Sequence, residues 1–340
     1  MTAGHRHILI TGGTGSFGRA VVAAVLARDL ADVVRVYSRD EWKQGEMAAQ
    51  FGRDPRLRFL LGDVRDRERL ARAMDGVDLV VHAAALKQVP SCEYNPAEAV
   101  RTNVDGAQNV IDAAISAGVA RTVALSTDKA VNPINIYGAT KLCAEKLFAQ
   151  GGVYAGSRPS RFACVRYGNV VGTRGSVIPL FIEQAKSGVV TITDPKMTRF
   201  WISLEQAGEF LLGAIRDMRG GEIFVPKIPS MRIVDLARAI APKAVLKCVG
   251  RRPGEKLHEL LLSAEESGLV REHRHHYVIG GMHAKTGRRV PEGFAYASDT
   301  NEQWLTVEEI RALVQQWQRA ENGAAQADTS PAQVPAPAAS

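Results

Sequence analysis

Three regularly spaced glycines, in the turn after the first apolar run, strongly limit what this chain can fold into. Residues 7–10 predict a short strand and residues 19–27 a helix, and the turn between them contains Gly12, Gly15 and Gly18. Glycine at these places permits a tight turn and lets a phosphate group approach the backbone at the helix N-terminus. The turn therefore predicts a dinucleotide site, with further contacts from its neighbours Thr14, Ser16 and Phe17.

The order of apolar and amphipathic segments predicts an α/β fold. Strand-like runs alternate with helix-like stretches, and these runs cover residues 33–37, 57–61, 78–83 and 122–126. Such alternation is typical of a Rossmann-like, doubly wound parallel sheet, whose strands are buried on both faces.

After about residue 170 the pattern loosens, which predicts a smaller, mixed C-terminal domain that binds the substrate. We predict a Rossmann domain over residues 1–170, with parts of the later chain returning to it, and a substrate domain over residues 171–319. Residues 320–340 are dominated by Ala, Gln, Pro and Ser, so we expect a disordered tail there.

The composition restricts the partners and the compartment of such a chain. Its 340 residues are 46% hydrophobic and 23% charged, as in ordinary globular proteins, and a strand-like run close to Met1 argues against a signal peptide. No apolar run reaches the ~20 residues that span a bilayer, and the four cysteines lack a metal-binding spacing. We therefore expect a cytoplasmic protein without membrane or metal partners. The net charge of +7 is dispersed, which disfavours nucleic acid and suits a small anionic substrate.

The end of the second predicted strand discriminates between the two nicotinamide dinucleotides. A carboxylate there would bind the ribose 2′-hydroxyl of NAD, whereas an arginine accommodates the 2′-phosphate of NADP. The chain has Ser38 and Arg39 at this place and Lys43 one helical turn later, which favours NADP. The nearby Asp40 keeps NAD as the less favoured alternative. Further cofactor contacts are expected after the third and fourth strands, at Asp63, Val64 and Ala83.

Residues 126–141 carry the candidate chemistry. Tyr137 and Lys141 are four residues apart and therefore share one face of a helix. There the ammonium can lower the pKa of the phenol from ~10 toward neutrality and make it an acid/base. Asp128 and Lys129, at the end of a strand-like run, would add a second acid and a second base. A simple alcohol oxidation needs no such extra pair, so the segment predicts further proton transfers.

Together these features resemble the extended short-chain dehydrogenase/reductase family. The resemblance rests on the glycine spacing, the His-Ala-Ala-Ala run at 82–85, Asn103 and the Tyr137/Lys141 pair. It extends over residues 5–315 and implies a Rossmann fold with a bound nicotinamide cofactor.

A finer resemblance points to one subfamily. Hexose-nucleotide 4,6-dehydratases of the family commonly carry Thr-Asp-Glu where residues 127–129 of this chain read Thr-Asp-Lys. The inverting UDP-N-acetylglucosamine 4,6-dehydratases carry Thr-Asp-Lys. Further segments resemble that subfamily, among them Met-Thr-Arg-Phe-Trp at 197–201 and Arg-Pro-Gly-Glu-Lys-Leu-His-Glu at 252–259.

The resemblance implies a reaction and a role for each residue. NADP would be held tightly and regenerated in each turnover. Tyr137, assisted by Lys141, would take the 4-hydroxyl proton, Lys129 would remove the C5 proton, and Asp128 would protonate the departing 6-hydroxyl. The product would be UDP-2-acetamido-2,6-dideoxy-β-L-arabino-hexos-4-ulose, a precursor of pseudaminic acid or a related 6-deoxy sugar. Lys129 can be a base only if its pKa lies well below ~10.4, and we expect burial and nearby positive charge to lower it.

Substrate contacts carry over more loosely. Lys87 is expected near both the cofactor and the substrate. Arg252 is expected to pair with the UDP diphosphate, although it could instead be a structural ion-pair partner. The other candidate substrate contacts are Thr127, Asn169, Arg174, Thr198 and Asn301.

Other functions on the same scaffold stay open. A nucleotide-sugar 4-epimerase or a bifunctional dehydratase/5-epimerase would share the fold, although a pure epimerase needs no acid/base pair for C5 and C6. A non-catalytic NADP-binding regulator is a more distant alternative, because such proteins often lose the Tyr or the Lys that this chain keeps. Relatives of this type assemble as dimers or hexamers, so we also expect a homo-oligomer.

Overall fold

Six parallel strands form one side of a ten-stranded sheet in the computed structural model, which describes residues 6–173, 176–281 and 286–328, with side chains to residue 319. They are β1 (His7–Thr11), β2 (Val33–Ser38), β3 (Leu57–Leu61), β4 (Leu79–His82), β5 (Arg121–Thr127) and β6 (Arg161–Tyr167). Their spatial order, β3-β2-β1-β4-β5-β6, is that of the doubly wound dinucleotide fold. The predicted Rossmann-like sheet is confirmed.

Helices connect these strands. They are α1 (Ser16–Ala27), α2 (Glu41–Gln50), α3 (Arg67–Met74), α4 (Val89–Tyr94), α5 (Pro96–Val100), α6 (Gly106–Ala117) and α7 (Ile136–Tyr154). A π-helical turn, Arg101–Asp105, joins α5 to α6, and a 3₁₀ turn, Asp128–Ala130, precedes α7. The side chain of Asn135 caps α7 by accepting a hydrogen bond from the Gly138 N–H at 2.7 Å. Such a cap stabilises a helix by about 1 kcal/mol, and here it places Tyr137 in the first turn.

The central strands are apolar on both faces because helices and later strands cover them. Leu9, Ile10, Val80 and Val81 are almost wholly buried in one continuous core. Burial of each such side chain contributes roughly 1.5–3 kcal/mol, and this continuous apolar pattern is typical of parallel sheets.

The later chain adds strands and helices to this sheet and around it. Its strands are β7 (Asn169–Val170), β8 (Val189–Ile192), β9 (Thr198–Ile202), β10 (Ile223–Pro226), β11 (Ser230–Arg232), β12 (Val245–Cys248), β13 (Leu260–Leu262), β14 (Val270–Glu272), β15 (His276–Ile279), β16 (Arg288–Arg289) and β17 (Tyr296–Ala297). Its helices are α8 (Val177–Ala185), α9 (Leu204–Asp217), α10 (Ile233–Ile240) and α11 (Val307–Asp328). Strand β10 pairs in parallel with β6, and β15, β14 and β16 continue the sheet with antiparallel pairing.

Residues after 170 contribute to two hydrophobic cores. Phe224 and Val278 pack in the core of the large sheet, whereas Trp201, Leu236 and Ile310 belong to a second cluster around α8, α10 and α11. The backbone of α11 continues to Asp328, so residues 320–328 of the segment predicted as a disordered tail are helical. The rest of that segment lies outside the described residues.

The described residues contain no group of three or more His, Cys, Asp and Glu that could hold a metal ion. No helix among them is long and apolar enough to cross a bilayer. The cysteines are free thiols; Cys92 and Cys164 are buried, and Cys143 and Cys248 are exposed.

Candidate active site

A cavity of about 1150 Å³ opens where the parallel strands end. Its walls come from the turns after β1, β2, β3, β4, β5 and β6 and from residues near β7 and β9. In doubly wound sheets ligands bind at this carboxyl edge of the strands. All fifteen residues that the sequence predicts as cofactor contacts line this one cavity: Gly12, Thr14, Gly15, Ser16, Phe17, Gly18, Ser38, Arg39, Lys43, Asp63, Val64, Ala83, Lys87, Tyr137 and Lys141.

The glycine turn leaves no room for a side chain at Gly12 or Gly18. Gly12 has a φ of 66°, and a Cβ there would lie 2.7 Å from the backbone nitrogen of Ala84. A Cβ on Gly18 would lie 2.5 Å from the backbone of Gly13. No side chain caps α1 at Gly15, and this helix N-terminus faces the cavity. The turn therefore fits a dinucleotide pyrophosphate, which backbone N–H groups and the helix dipole would bind.

The far end of the cavity, after β2, carries the cations Arg39 and Lys43 together with the carboxylates Asp40, Glu41 and Asp63. Arg39 is half-exposed, and its Nη1 lies 3.4 Å from Asp63 Oδ2. The Asp40 carboxylate caps α2 by accepting the Lys43 backbone N–H at 3.0 Å, and it also pairs with the Lys43 ammonium. Arg39, Asp40 and Lys43 all line the cavity, but the Asp40 carboxylate is engaged within its own helix by Lys43.

Tyr137 and Lys141 share the cavity wall, but the expected effect of the lysine on the phenol is wrong for this structure. Burial raises the pKa of Tyr137 to about 12, although the Lys129 charge and a hydrogen bond with Thr127 act against this rise. The Lys141 ammonium donates a 2.6 Å hydrogen bond to the Leu125 carbonyl. Burial lowers the pKa of Lys141 itself. Of the two lysines, Lys129 is therefore the one whose positive charge acts to lower the pKa of the Tyr137 phenol.

Lys129 lies on the same wall, and its ammonium is held by three acceptors. Its Nζ lies 3.0 Å from Asp128 Oδ1, 3.4 Å from Asn169 Oδ1 and 3.6 Å from Glu259 Oε1. Burial acts to lower the pKa of Lys129, but the Asp128 and Glu259 carboxylates outweigh it and raise that pKa above its ordinary value. The expected lowering of the Lys129 pKa is therefore wrong, because these two carboxylates stabilise the ammonium by more than burial destabilises it.

Asp128 differs from its predicted place. Its carboxylate is fully buried and does not line the cavity among the described residues. Oδ1 accepts hydrogen bonds from the Thr127 hydroxyl at 2.9 Å and from Lys129, while Oδ2 has no hydrogen-bond partner among the described residues. Of Asp128 and Lys129, only the lysine lines the cavity, so Asp128 acts on the cavity through its contact with Lys129.

The predicted substrate contacts divide into two groups. Lys87, Thr127 and Asn169 line the cavity, and burial together with the Lys129 charge lowers the pKa of Lys87. Arg174 lies outside the described residues.

Three of the predicted substrate contacts, Thr198, Arg252 and Asn301, are not among the described residues that line the cavity. The Thr198 hydroxyl is buried between His258 Nδ1, at 2.8 Å, and the Ser298 hydroxyl, at 2.7 Å. Asn301 donates to the Ile228 carbonyl and the Ser230 hydroxyl, at 2.9 and 3.0 Å. Arg252 is exposed on a loop. Thr198 and Asn301 stabilise the later part of the fold.

Two cavity residues were missed by the sequence reasoning. Tyr167 and Trp201 each expose only 4% of their surface, and both line the cavity. The Tyr167 hydroxyl and the Trp201 indole N–H have no hydrogen-bond partner among the described residues. Because an unpaired buried donor costs about 1–3 kcal/mol, both groups are suited to bind a polar ligand. Tyr167 is the last residue of the apolar strand β6, and Trp201 ends the Met-Thr-Arg-Phe-Trp segment at 197–201, which the sequence offers only as part of the subfamily resemblance.

The chain matches the family model described as polysaccharide biosynthesis protein over residues 8–280. The chain belongs to this family. It is 48% identical over 325 residues to the UDP-N-acetylglucosamine 4,6-dehydratase (inverting) of Campylobacter jejuni, which covers 91% of this chain and 97% of that protein. This relative confirms the subfamily resemblance of the sequence. The chain is also 45% identical over 280 residues to the UDP-glucose 4-epimerase of Rickettsia canadensis, covering 80% and 82%.

Solved structures share the fold. Pen from Bacillus thuringiensis superposes with a TM-score of 0.86 at 38% identity and covers 93% of this chain and 100% of its own. DesIV, a dTDP-glucose 4,6-dehydratase from Streptomyces venezuelae with NAD and TYD bound, has a TM-score of 0.65 at 26% identity, over 74% of this chain and 86% of its own. The α/β fold is therefore that of nucleotide-sugar enzymes.

Proposed function

We propose that this protein is a UDP-N-acetylglucosamine 4,6-dehydratase that inverts the configuration at C5. One observation carries the proposal: the cavity that holds the glycine cradle also presents Tyr137 and the Lys129 ammonium on one wall. The relative from Campylobacter jejuni with that name supports the choice of substrate. A bound nicotinamide would supply the hydride acceptor and donor that such a reaction needs.

The side chains of the cavity wall divide the proton transfers between them. Tyr137 is the proposed acid/base at the sugar 4-hydroxyl, and the Lys129 charge eases loss of its proton against the effect of burial. The C5 proton becomes acidic once C4 is a ketone, and Lys129 is proposed to remove it. Asp128 is proposed as the acid for the departing 6-hydroxyl, and its proton reaches that group through Lys129, because the carboxyl group is buried and does not line the cavity among the described residues.

The Asp128–Lys129 contact can set up both of these states. Transfer of one proton across the 3.0 Å contact breaks an N–H bond of the ammonium and forms an O–H bond on the carboxylate. The result is a neutral amine and a protonated carboxyl group, the forms that a base and an acid require. Because Asp128 is buried, Lys129 is the member of the pair that touches the substrate.

Solvent deuterium tests this function. We expect the purified protein, incubated with UDP-N-acetylglucosamine in D₂O, to form a 4-keto product that carries deuterium at C5, lacks the 6-hydroxyl and has the L-arabino configuration. NMR of the product reports all three features. A product that keeps its 6-hydroxyl and takes up no deuterium would contradict the proposal and favour the 4-epimerase, for which the Rickettsia canadensis relative is named.

We further propose NADP as the preferred cofactor, because Arg39 and Lys43 line the cavity and Asp40 is engaged in capping α2. Arg39→Ala is expected to weaken NADP binding about 10–100-fold, the loss of one charge-assisted hydrogen bond to a phosphate, and to leave NAD binding nearly unchanged. Titration calorimetry of the cofactor-free protein measures both affinities. The control is Arg67→Ala, an exposed arginine on α3. Equal losses for NAD and NADP would contradict this assignment.

The wider setting is proposed from the family and the surface. A polysaccharide biosynthesis family supports a cytoplasmic enzyme whose product enters synthesis of pseudaminic acid or another 6-deoxy sugar of surface glycans. Exposed Tyr94, Val153 and Tyr154 support a homo-oligomer, since large apolar side chains at the surface favour association.

A further inference from the structure

A buried carboxylate from the later part of the chain reaches the proposed catalytic lysine. Glu259 exposes only 2% of its surface, and its Oε1 lies 3.6 Å from Lys129 Nζ and 3.8 Å from Arg199 Nε. Its backbone is fixed by two hydrogen bonds with Ser298, at 2.9 and 2.8 Å. Oε2 has no hydrogen-bond partner among the described residues. Glu259 is therefore a rigidly placed carboxylate that takes no part in the proposed proton transfer between Asp128 and Lys129.

We infer that Glu259 is a positioning residue for Lys129, which fixes the place of its ammonium at the cavity and sets the pH range in which its amine becomes a base. The inference rests on the proposed function, in which Lys129 removes a proton from the sugar. Glu259 itself does not line the cavity among the described residues, so it acts on the substrate only through Lys129.

The balance of charge around Lys129 supports this role. Titratable and charged groups face its ammonium from every element packed against it, and they are Lys87, Asp128, Tyr137, Arg199, Lys256 and Glu259. Asp128 and Glu259 together match the charges of Lys129 and Arg199. Removing the Glu259 charge would leave Lys129 with one carboxylate instead of two. The ammonium would then lose its proton more easily.

The two halves of the fold supply the two carboxylates. Asp128 adjoins Lys129 in the 3₁₀ turn after β5, whereas Glu259 precedes β13 in the later chain. Glu255, four residues before Glu259, pairs with the same Arg199 at 3.7 Å but has no described contact with Lys129. Glu255 is therefore a matched control for the loss of a carboxylate in this cluster.

A titration of Lys129 tests the inference without substrate. In the full-length protein labelled with ¹³C-lysine, the Lys129 signal is assigned by its loss in Lys129→Met and followed by NMR against pH. Glu259→Gln is expected to move the titration midpoint of Lys129 to lower pH by about one unit or more, a tenfold or larger loss of proton affinity. Glu255→Gln is expected to leave it in place. An unchanged midpoint in Glu259→Gln, or equal shifts in both variants, would overturn the inference.

Two further measurements complete the test. If Glu259→Gln does not fold, Glu259→Asp decides the matter: it keeps the charge but withdraws it by one methylene, so a smaller shift to lower pH is expected and no shift would overturn the inference. The pH profile of kcat in Glu259→Gln should show its rising limb displaced to lower pH by the same amount as the NMR midpoint. If the NMR midpoint moves but neither the wild type nor any variant forms the dehydratase product, the proposed function is overturned. The coupling between Lys129 and Glu259 then still stands.

Discussion

Lys129→Met is expected to lower turnover of UDP-N-acetylglucosamine by about 10²–10⁴-fold, the range expected for loss of a positioned acid/base group, while the nicotinamide cofactor still binds. The reason is that methionine retains most of the side-chain length but no group that can take a proton from C5. The glycine cradle and Arg39 are on other turns of the cavity. Single-turnover kinetics and cofactor titration measure the two properties separately.

Lys129→Arg separates the role of the charge from the role of the base. A guanidinium keeps the positive charge beside Asp128 and Glu259 but does not lose its proton in proteins, so this variant should fold like the wild type and be as inactive as Lys129→Met. The surface control is Lys186→Met, which removes an exposed lysine paired with Glu183. Full activity in either Lys129 variant would show that another group removes the C5 proton.

Arg166→Met is expected to lower the free energy of unfolding by about 3–5 kcal/mol, the cost of leaving a buried charge without its partner. The Arg166 guanidinium is fully buried and donates to both oxygens of Glu145, at 2.9 and 2.5 Å, and to both of Glu266, at 2.9 and 2.8 Å. Glu145 is on α7 and Glu266 is in the 3₁₀ segment after β13. The arginine therefore joins α7, which carries Tyr137 and Lys141, to the later chain. Urea unfolding measures the loss.

A second substitution distinguishes charge from packing at this network. Arg166→Met leaves Glu145 and Glu266 without the guanidinium, and adding Glu145→Gln removes the charge of the fully buried one, so the double variant should be more stable than Arg166→Met alone. Arg216→Met, which breaks an exposed pair with Asp217, should change stability by at most about 0.5 kcal/mol. Equal effects of Arg166→Met and Arg216→Met would contradict the proposed role of the network.

The sequence predicted the fold, and its candidate cofactor contacts lie at one cavity, because both depend on short-range patterns. Gly12 lies in the turn between β1 and α1, and Gly18 lies in the first turn of α1. Their spacing, which is visible in the sequence, already indicates that no larger side chain fits at these two positions. The pair Tyr137 and Lys141 is likewise local, since helical spacing alone puts both side chains on one face. Such local features can be predicted from the sequence without information on contacts between distant segments.

The contacts made by the later chain were predicted poorly. Thr198 and Asn301 were expected near the nucleotide, yet each is bonded within the fold because partners from distant segments, such as Ser298 and Ser230, meet them there. Arg252 is exposed, whereas Glu259, seven residues later in the same motif, is buried. Spacing within a motif does not reveal which of its members faces inward.

What the sequence by itself determined is the Rossmann scaffold, the dinucleotide cradle and the identity of the Asp128–Lys129–Tyr137 set. The tertiary structure alone decided the ionisation of that set. Glu259 is 130 residues from Lys129 in the chain but 3.6 Å from it in space, and burial of the phenol raises the pKa of Tyr137 to about 12. Charge–charge energies depend on distance and burial, and neither can be read from chain order.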